Sequence, residues 1–120
     1  MRLGSFRITQ EVFDFDFDGA VYKLKSLNGD QYATFQMFVS GTASGFLNSA
    51  QKFDFIKNNI LGWSDVYGYD DQLIEYSDKA KAIFLDEELD QVLNILIIQC
   101  YLRRKEIIEK VESDKESAGK

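Results

Sequence analysis

Residues 13–19 read FDFDFDG, and residues 20–25 continue AVYKLK. Strict alternation puts Phe13, Phe15 and Phe17 on one face of a strand and Asp14, Asp16 and Asp18 on the other. Asp18-Gly19 is a hairpin signal, because a type I′ turn needs two residues that tolerate positive φ. Folding the chain there pairs Phe17 with Ala20, Phe15 with Tyr22 and Phe13 with Leu24. The same register sets Asp14 opposite Lys23. One face is then apolar, and the wet face carries an opposite-charge pair of a kind that contributes roughly 0.2–1 kcal/mol. A calcium loop would instead place its ligands on a tight loop ending in a bidentate Glu. The stretch therefore predicts a small antiparallel sheet and not a cation site.

Further along, Leu27-Asn28-Gly29-Asp30 is a second turn signal; in residues 31–40 Phe35, Met37 and Val39 fit a strand, but a helix capped by Asp30 is the favoured reading. Its stripe is Tyr32, Phe35, Phe38 and Val39. Residues 40–45 form a loop of small residues. Ser44 is placed to cap a helix in which Phe46, Ala50, Phe53, Ile56 and Ile60 recur at helical spacing, with Gly62 at its C′ position. Trp63 to Tyr76 predicts a second hairpin around a Gly68–Asp71 turn. Ser77 caps a short helix over 78–85. Asp86 caps a long one from about 87 to 112, with Glu87 and Glu88 favourable at its positive end. The fold class expected is α+β, with one or two small antiparallel hairpins on three to four helices. Residues 1–112 form one domain, and residues 113–120 are expected as a disordered tail.

The chain has 120 residues with a net charge of −6, and all of the acidic excess lies in its second half. Nine carboxylates between Asp65 and Asp90 face only Lys79 and Lys81 there. Such a surface repels a phosphate backbone and suits a basic or mixed protein partner. No histidine is present, which removes the commonest general base and metal ligand. The single cysteine, Cys100, lies in an apolar helical run and reads as an inert buried thiol. No phosphate-binding glycine loop occurs; Gly41 to Gly45 lacks the lysine and the spacing. Asp65, Asp70 and Asp71 match no known cation-loop spacing and fit the local chemistry of turns. We expect no catalytic residue, no cofactor, no metal and no membrane span, the longest apolar run being too short.

Hydrophobicity is in surplus on the long helix. Leu89, Val92, Leu93, Leu96, Cys100, Ile107 and Val111 form one stripe. Ile95, Ile98 and Leu102 lie on another face, and Ile97, Tyr101 and Ile108 widen it further. Either this is a central core helix, or part of it is a docking surface for a partner helix or a second copy.

The stretch from Asn58 to Cys100 resembles the tail assembly chaperones of long-tailed bacteriophages. The residues that carry the resemblance are Ile60, Gly62-Trp63, Val66, Asp70-Asp71, Ile74, Tyr76-Ser77 and Leu85 through Leu96, and the similarity extends over roughly 12–112. The glycine usual in the second turn stands here at Gly68, and a common proline is absent. The resemblance implies a non-enzymatic protein of the host cell cytoplasm, absent from the finished virion. Such a protein binds helical segments of the tape measure protein and keeps them soluble while the tail tube protein polymerises. The tube protein and a second copy of the chain are the further partners it brings into view. On this reading the partner-binding residues expected are Leu89, Leu93, Leu96, Ile97 and Tyr101, with Trp63 as groove or core. The alternatives are an acidic inhibitor of the anti-restriction type that mimics nucleic acid, and a structural tail or connector subunit.

Overall fold

The computed structural model describes residues 10–41 and 48–118. The fold is α+β. Strands β1 (Val12–Phe17) and β2 (Ala20–Lys25) form the hairpin, in the register expected from the alternation. Asp18 and Gly19 take φ of 50° and 80° at its turn. The third strand, β3 (Ile60–Ser64), pairs antiparallel with β2, which is therefore central. Ala20, Tyr22 and Leu24 of β2 point into the core, while Lys23 faces solvent beside Asp14. The register of β3 slips between Lys23 and Leu24, a bulge that takes up one residue.

Helix α1 (Gly29–Val39) follows, and its N-cap is Asn28, not Asp30. The Asn28 side chain accepts from the Gln31 backbone N–H at 2.8 Å, and the Gln31 side chain accepts from the Asn28 N–H at 2.9 Å. Helix α2 (Ser49–Asn59) repeats this reciprocal cap with Asn48 and Gln51. The expected cap at Ser44 and the first stripe residue, Phe46, lie outside the described residues. Because α2 starts at Ser49, its buried face is Phe55, Ile56 and Asn59, and Phe53 is turned outward. Gly62 does not end this helix. The chain passes from Asn59 straight into β3, where Gly62 lies opposite Lys23.

The second hairpin is reduced to a single bridge between Tyr67 and Leu73. Trp63 instead extends the main sheet, paired with Tyr22. Ser77 does cap the next element, accepting from the Ala80 N–H at 2.9 Å, but that element is a 3-10 helix over Ala80–Leu85. Asp86 accepts from the Glu88 N–H at 2.9 Å and starts a 3-10 turn, Glu87–Leu89, that leads into α3 (Asp90–Ala118). Helix α3 thus runs past the expected end at 112, and six residues of the expected tail are helical.

The core lies between the sheet and α3. Leu24, Leu27, Ile60, Leu93, Leu96 and Cys100 are almost wholly removed from water. Phe35 of α1 packs on Tyr101 with ring centres 4.5 Å apart. Within this apolar interior sits one polar knot. The Asn59 side chain, fully buried, donates to the Lys25 and Ser26 carbonyls at 2.8 and 3.2 Å. Its oxygen accepts from Gln31 at 2.8 Å. Ser26, also fully buried, accepts through its hydroxyl from the Glu11 N–H at 2.8 Å.

Deleting the Asn59 amide strands part of this set in the interior. Asn59→Ala is expected to lower unfolding free energy by about 1–3 kcal/mol. Its exposed neighbour Asn58, whose side chain donates to Asp54, is the control: Asn58→Ala stays within about 0.5 kcal/mol. Urea midpoints of the two variants check the contrast.

Candidate functional site

Four of the six expected docking residues are core. Leu93, Leu96, Ile97 and Tyr101 are at most 5% exposed. They recur at the spacing of one helix face, and that face meets β2 and α1. Burial, and then the adjacent Tyr32, raise the Tyr101 pKa. Tyr32 stacks on Tyr101 with centres 5.2 Å apart. This face of α3 is therefore not a free surface; the apolar residues α3 leaves open are Ile98 and Leu102, on its far side. Trp63 is half-buried and structural. Its indole N–H donates to the Ile74 carbonyl at 2.7 Å, and its ring meets Phe84 and Tyr76 edge-on.

Leu89, the remaining expected residue, lines an open groove of about 510 Å³. The groove lies between the hairpin tip, the segment after β3, the 3-10 helix and the first turn of α3. Its floor is the buried trio Ala20, Tyr22 and Phe84. Its half-buried walls are Phe17, Val66, Ile74, Ile83, Leu89 and Val92. The exposed rim carries Asp18, Asp65, Asp86, Tyr67 and Tyr69. Among the described residues, no lysine or arginine lines it.

Local sequence explains each edge. Asp65 and Asp71 take φ of 59° and 58°, positions where a short polar side chain is tolerated. The Asp70 carboxylate accepts from the Gln72 N–H at 3.1 Å, and the Ile74 N–H donates to the Val66 carbonyl at 2.8 Å. These bonds turn the chain so that Val66 and Ile74 face the groove together. The Tyr69 hydroxyl donates to the Glu88 carboxylate, tying this turn to the segment before α3. That hydrogen bond, followed by partial desolvation, raises the Tyr69 pKa.

Lys81 carries its charge elsewhere. Burial opposes that charge, but the Tyr76 hydroxyl and Asp78 outweigh it and the pKa rises. Its amine also donates to the Lys57 carbonyl at 3.2 Å, pinning the 3-10 helix to α2.

The groove holds carboxylates at its lip and hydrocarbon inside, which suits docking of an apolar segment. Among the described residues no cluster of three Asp, Glu or Cys side chains is placed to hold a metal ion. No helix among them is long and apolar enough to cross a membrane. A second cavity, about 310 Å³, lies between α1 and α2. It reaches Asn48, where the described chain breaks. Cys100 is fully buried, and desolvation raises its thiol pKa well above the ordinary range. Arg103, one turn on, lies over the Phe13 ring at 4.6 Å and within 3.9 Å of Glu11.

No family model matches the chain, and no curated protein or solved structure is significantly similar to it.

Three outcomes follow from this placement. Leu93→Asp buries a charge in the core and is expected to cost more than about 4 kcal/mol, unfolding the domain. Leu89→Asp, on the groove wall, keeps the native circular dichroism and elution volume. For Cys100, a thiol reagent such as DTNB is expected to label the native chain at least about a hundredfold more slowly than the urea-unfolded chain.

Proposed function

We propose that this chain is a non-catalytic tail assembly chaperone of a long-tailed bacteriophage. It binds helical segments of the tape measure protein in the host cell cytoplasm, keeps them soluble while the tail tube protein assembles, and does not enter the virion. The observation that carries this reading is the open apolar groove rimmed by carboxylates. An aggregation-prone helix exposes apolar side chains at i, i+3, i+4 and i+7, and a groove of hydrocarbon walls is what removes them from water. Leu89, at the end of the 3-10 turn, and Val92, in the first turn of α3, supply one wall of it.

The resemblance points to the same place. Val66, Ile74 and Leu89 fall within its stretch, and all three line the groove. Gly62 and Trp63 also fall there, and Trp63 packs against Phe84 on the groove floor at 5.7 Å. Small-molecule pockets usually carry a few convergent polar groups inside. Here the charged groups sit at the lip, the arrangement of a protein-docking surface with an apolar centre and a polar rim.

Co-expression with helical fragments of a phage tape measure protein tests the proposal. The fragments are expected to be insoluble alone and to elute with this chain as a soluble complex in size-exclusion chromatography with light scattering. Leu89→Asp is expected to abolish the complex while remaining folded. Fragments that stay insoluble beside the wild-type chain would overturn the proposal.

A further inference from the structure

We infer that the groove selects a helix whose apolar face is flanked by lysine or arginine, so that net positive charge is a requirement of the partner segment. The inference rests on the docking role of the groove and adds the chemistry of its occupant. Three aspartates, Asp18, Asp65 and Asp86, stand on different sides of the opening: one at the hairpin tip, one after β3, one before α3. Glu88 adds a fourth carboxylate at the Tyr69 side. With no Lys or Arg among the described residues of the lining, an entering helix meets carboxylates from three segments of the chain.

A flanking lysine or arginine would reach these carboxylates while its neighbours fill the walls. A flanking glutamate would meet like charge at the mouth of a partly desolvated site. Complementarity of this kind acts more on selection and encounter rate than on total affinity. Exposed charges of this sort are screened by salt, with a Debye length of about 10 Å at 0.1 M. The apolar contribution is not screened. The two terms therefore separate with ionic strength.

Two fluorescein-labelled synthetic helices of 18 residues test this, with identical leucine positions at helical spacing. One carries lysine and glutamine at its polar positions, the other glutamate and glutamine. By fluorescence anisotropy at 50 mM salt, the lysine peptide is expected to bind at least about tenfold more tightly. The gap should shrink to about twofold at 0.5 M salt. The double variant Asp65→Asn, Asp86→Asn should remove most of the low-salt preference, since asparagine tolerates the backbone at residue 65. The charge-matched control Asp14→Asn, Asp16→Asn, on the outer face of β1, should keep it. Equal binding of the two peptides to the wild type overturns the inference and leaves the docking role standing. So does a preference that both double variants lose equally, because net charge would then explain it. If neither peptide binds, the docking role of the groove fails as well.

Discussion

The buried side chain of Asn59 holds the architecture together. A primary amide with no exposure needs partners for two donors and an acceptor. Asn59 finds them on the last turn of the sheet and the first turn of α1. Three elements therefore meet at one point: the end of β2, the N-terminus of α1 and the C-terminus of α2. Gln31 belongs to the knot and to the α1 cap at once, so the cap and the core are not independent. The consequence reaches further than local stability. Because α2 is fixed at its last residue, the next residue, Ile60, enters the sheet directly and sets the register of β3. That register places Trp63 opposite Tyr22 and starts the turn that forms one side of the groove.

Helix α3 shows how one element serves both core and surface. Its strip of Leu93, Leu96, Ile97, Cys100 and Tyr101 is sealed against the sheet and α1. Each such side chain contributes roughly 1.5–3 kcal/mol on burial. Leu89, in the 3-10 turn before α3, and Val92, in the first turn of α3, lie at the N-terminal end of the same strip and are only half-buried. Phe84 fills the space below them, but nothing among the described residues covers them from above. The groove opens where the hairpin tip, the segment after β3 and the 3-10 helix border this end of the strip. A polar substitution at Leu89 removes apolar surface from the groove without opening a core cavity, which is why the wall and the core respond differently to charge.

Much of this was readable from residue order. The hairpin was legible to the pair, since alternation and Asp-Gly together admit one register that buries the phenylalanines. The α+β class was legible too, whereas the pattern over 31–40 fitted helix and strand alike. The helix starts were missed for a specific reason. Asp30 and Ser44 are good capping types, but Asn28-x-x-Gln31 and Asn48-x-x-Gln51 each offer a reciprocal pair, which satisfies two orphan N–H groups where a lone cap satisfies one. Shifting the start of α2 to Ser49 rotates its phase, so Phe55 is buried and Phe53 is not. Periodicity on α3 located the right stripe but could not say what lay against it. Burial is decided by residues far away in sequence, here Leu24, Leu27 and Phe35, so core and docking face look alike in one dimension. The groove was invisible for the same reason: its lining comes from four separate segments.

The rim carries a further lesson about economy in turns. Asp18, Asp65 and Asp71 all adopt positive φ, where glycine would be the least strained residue. Left-handed backbone costs an L residue roughly 1–2 kcal/mol, and aspartate recovers some of it through local hydrogen bonding. Asp71 lies off the groove, so turn chemistry alone is enough to place an aspartate in this conformation. At residues 18 and 65 the same choice has a second effect, because these turns border the opening. A glycine at either would keep the backbone and lose the charge. The chain could thus acquire an acidic rim from the residues that shape its turns, with no side chain added for the purpose. At Asp18 and Asp65 the carboxylate lip and the turns that present it are set by the same residues.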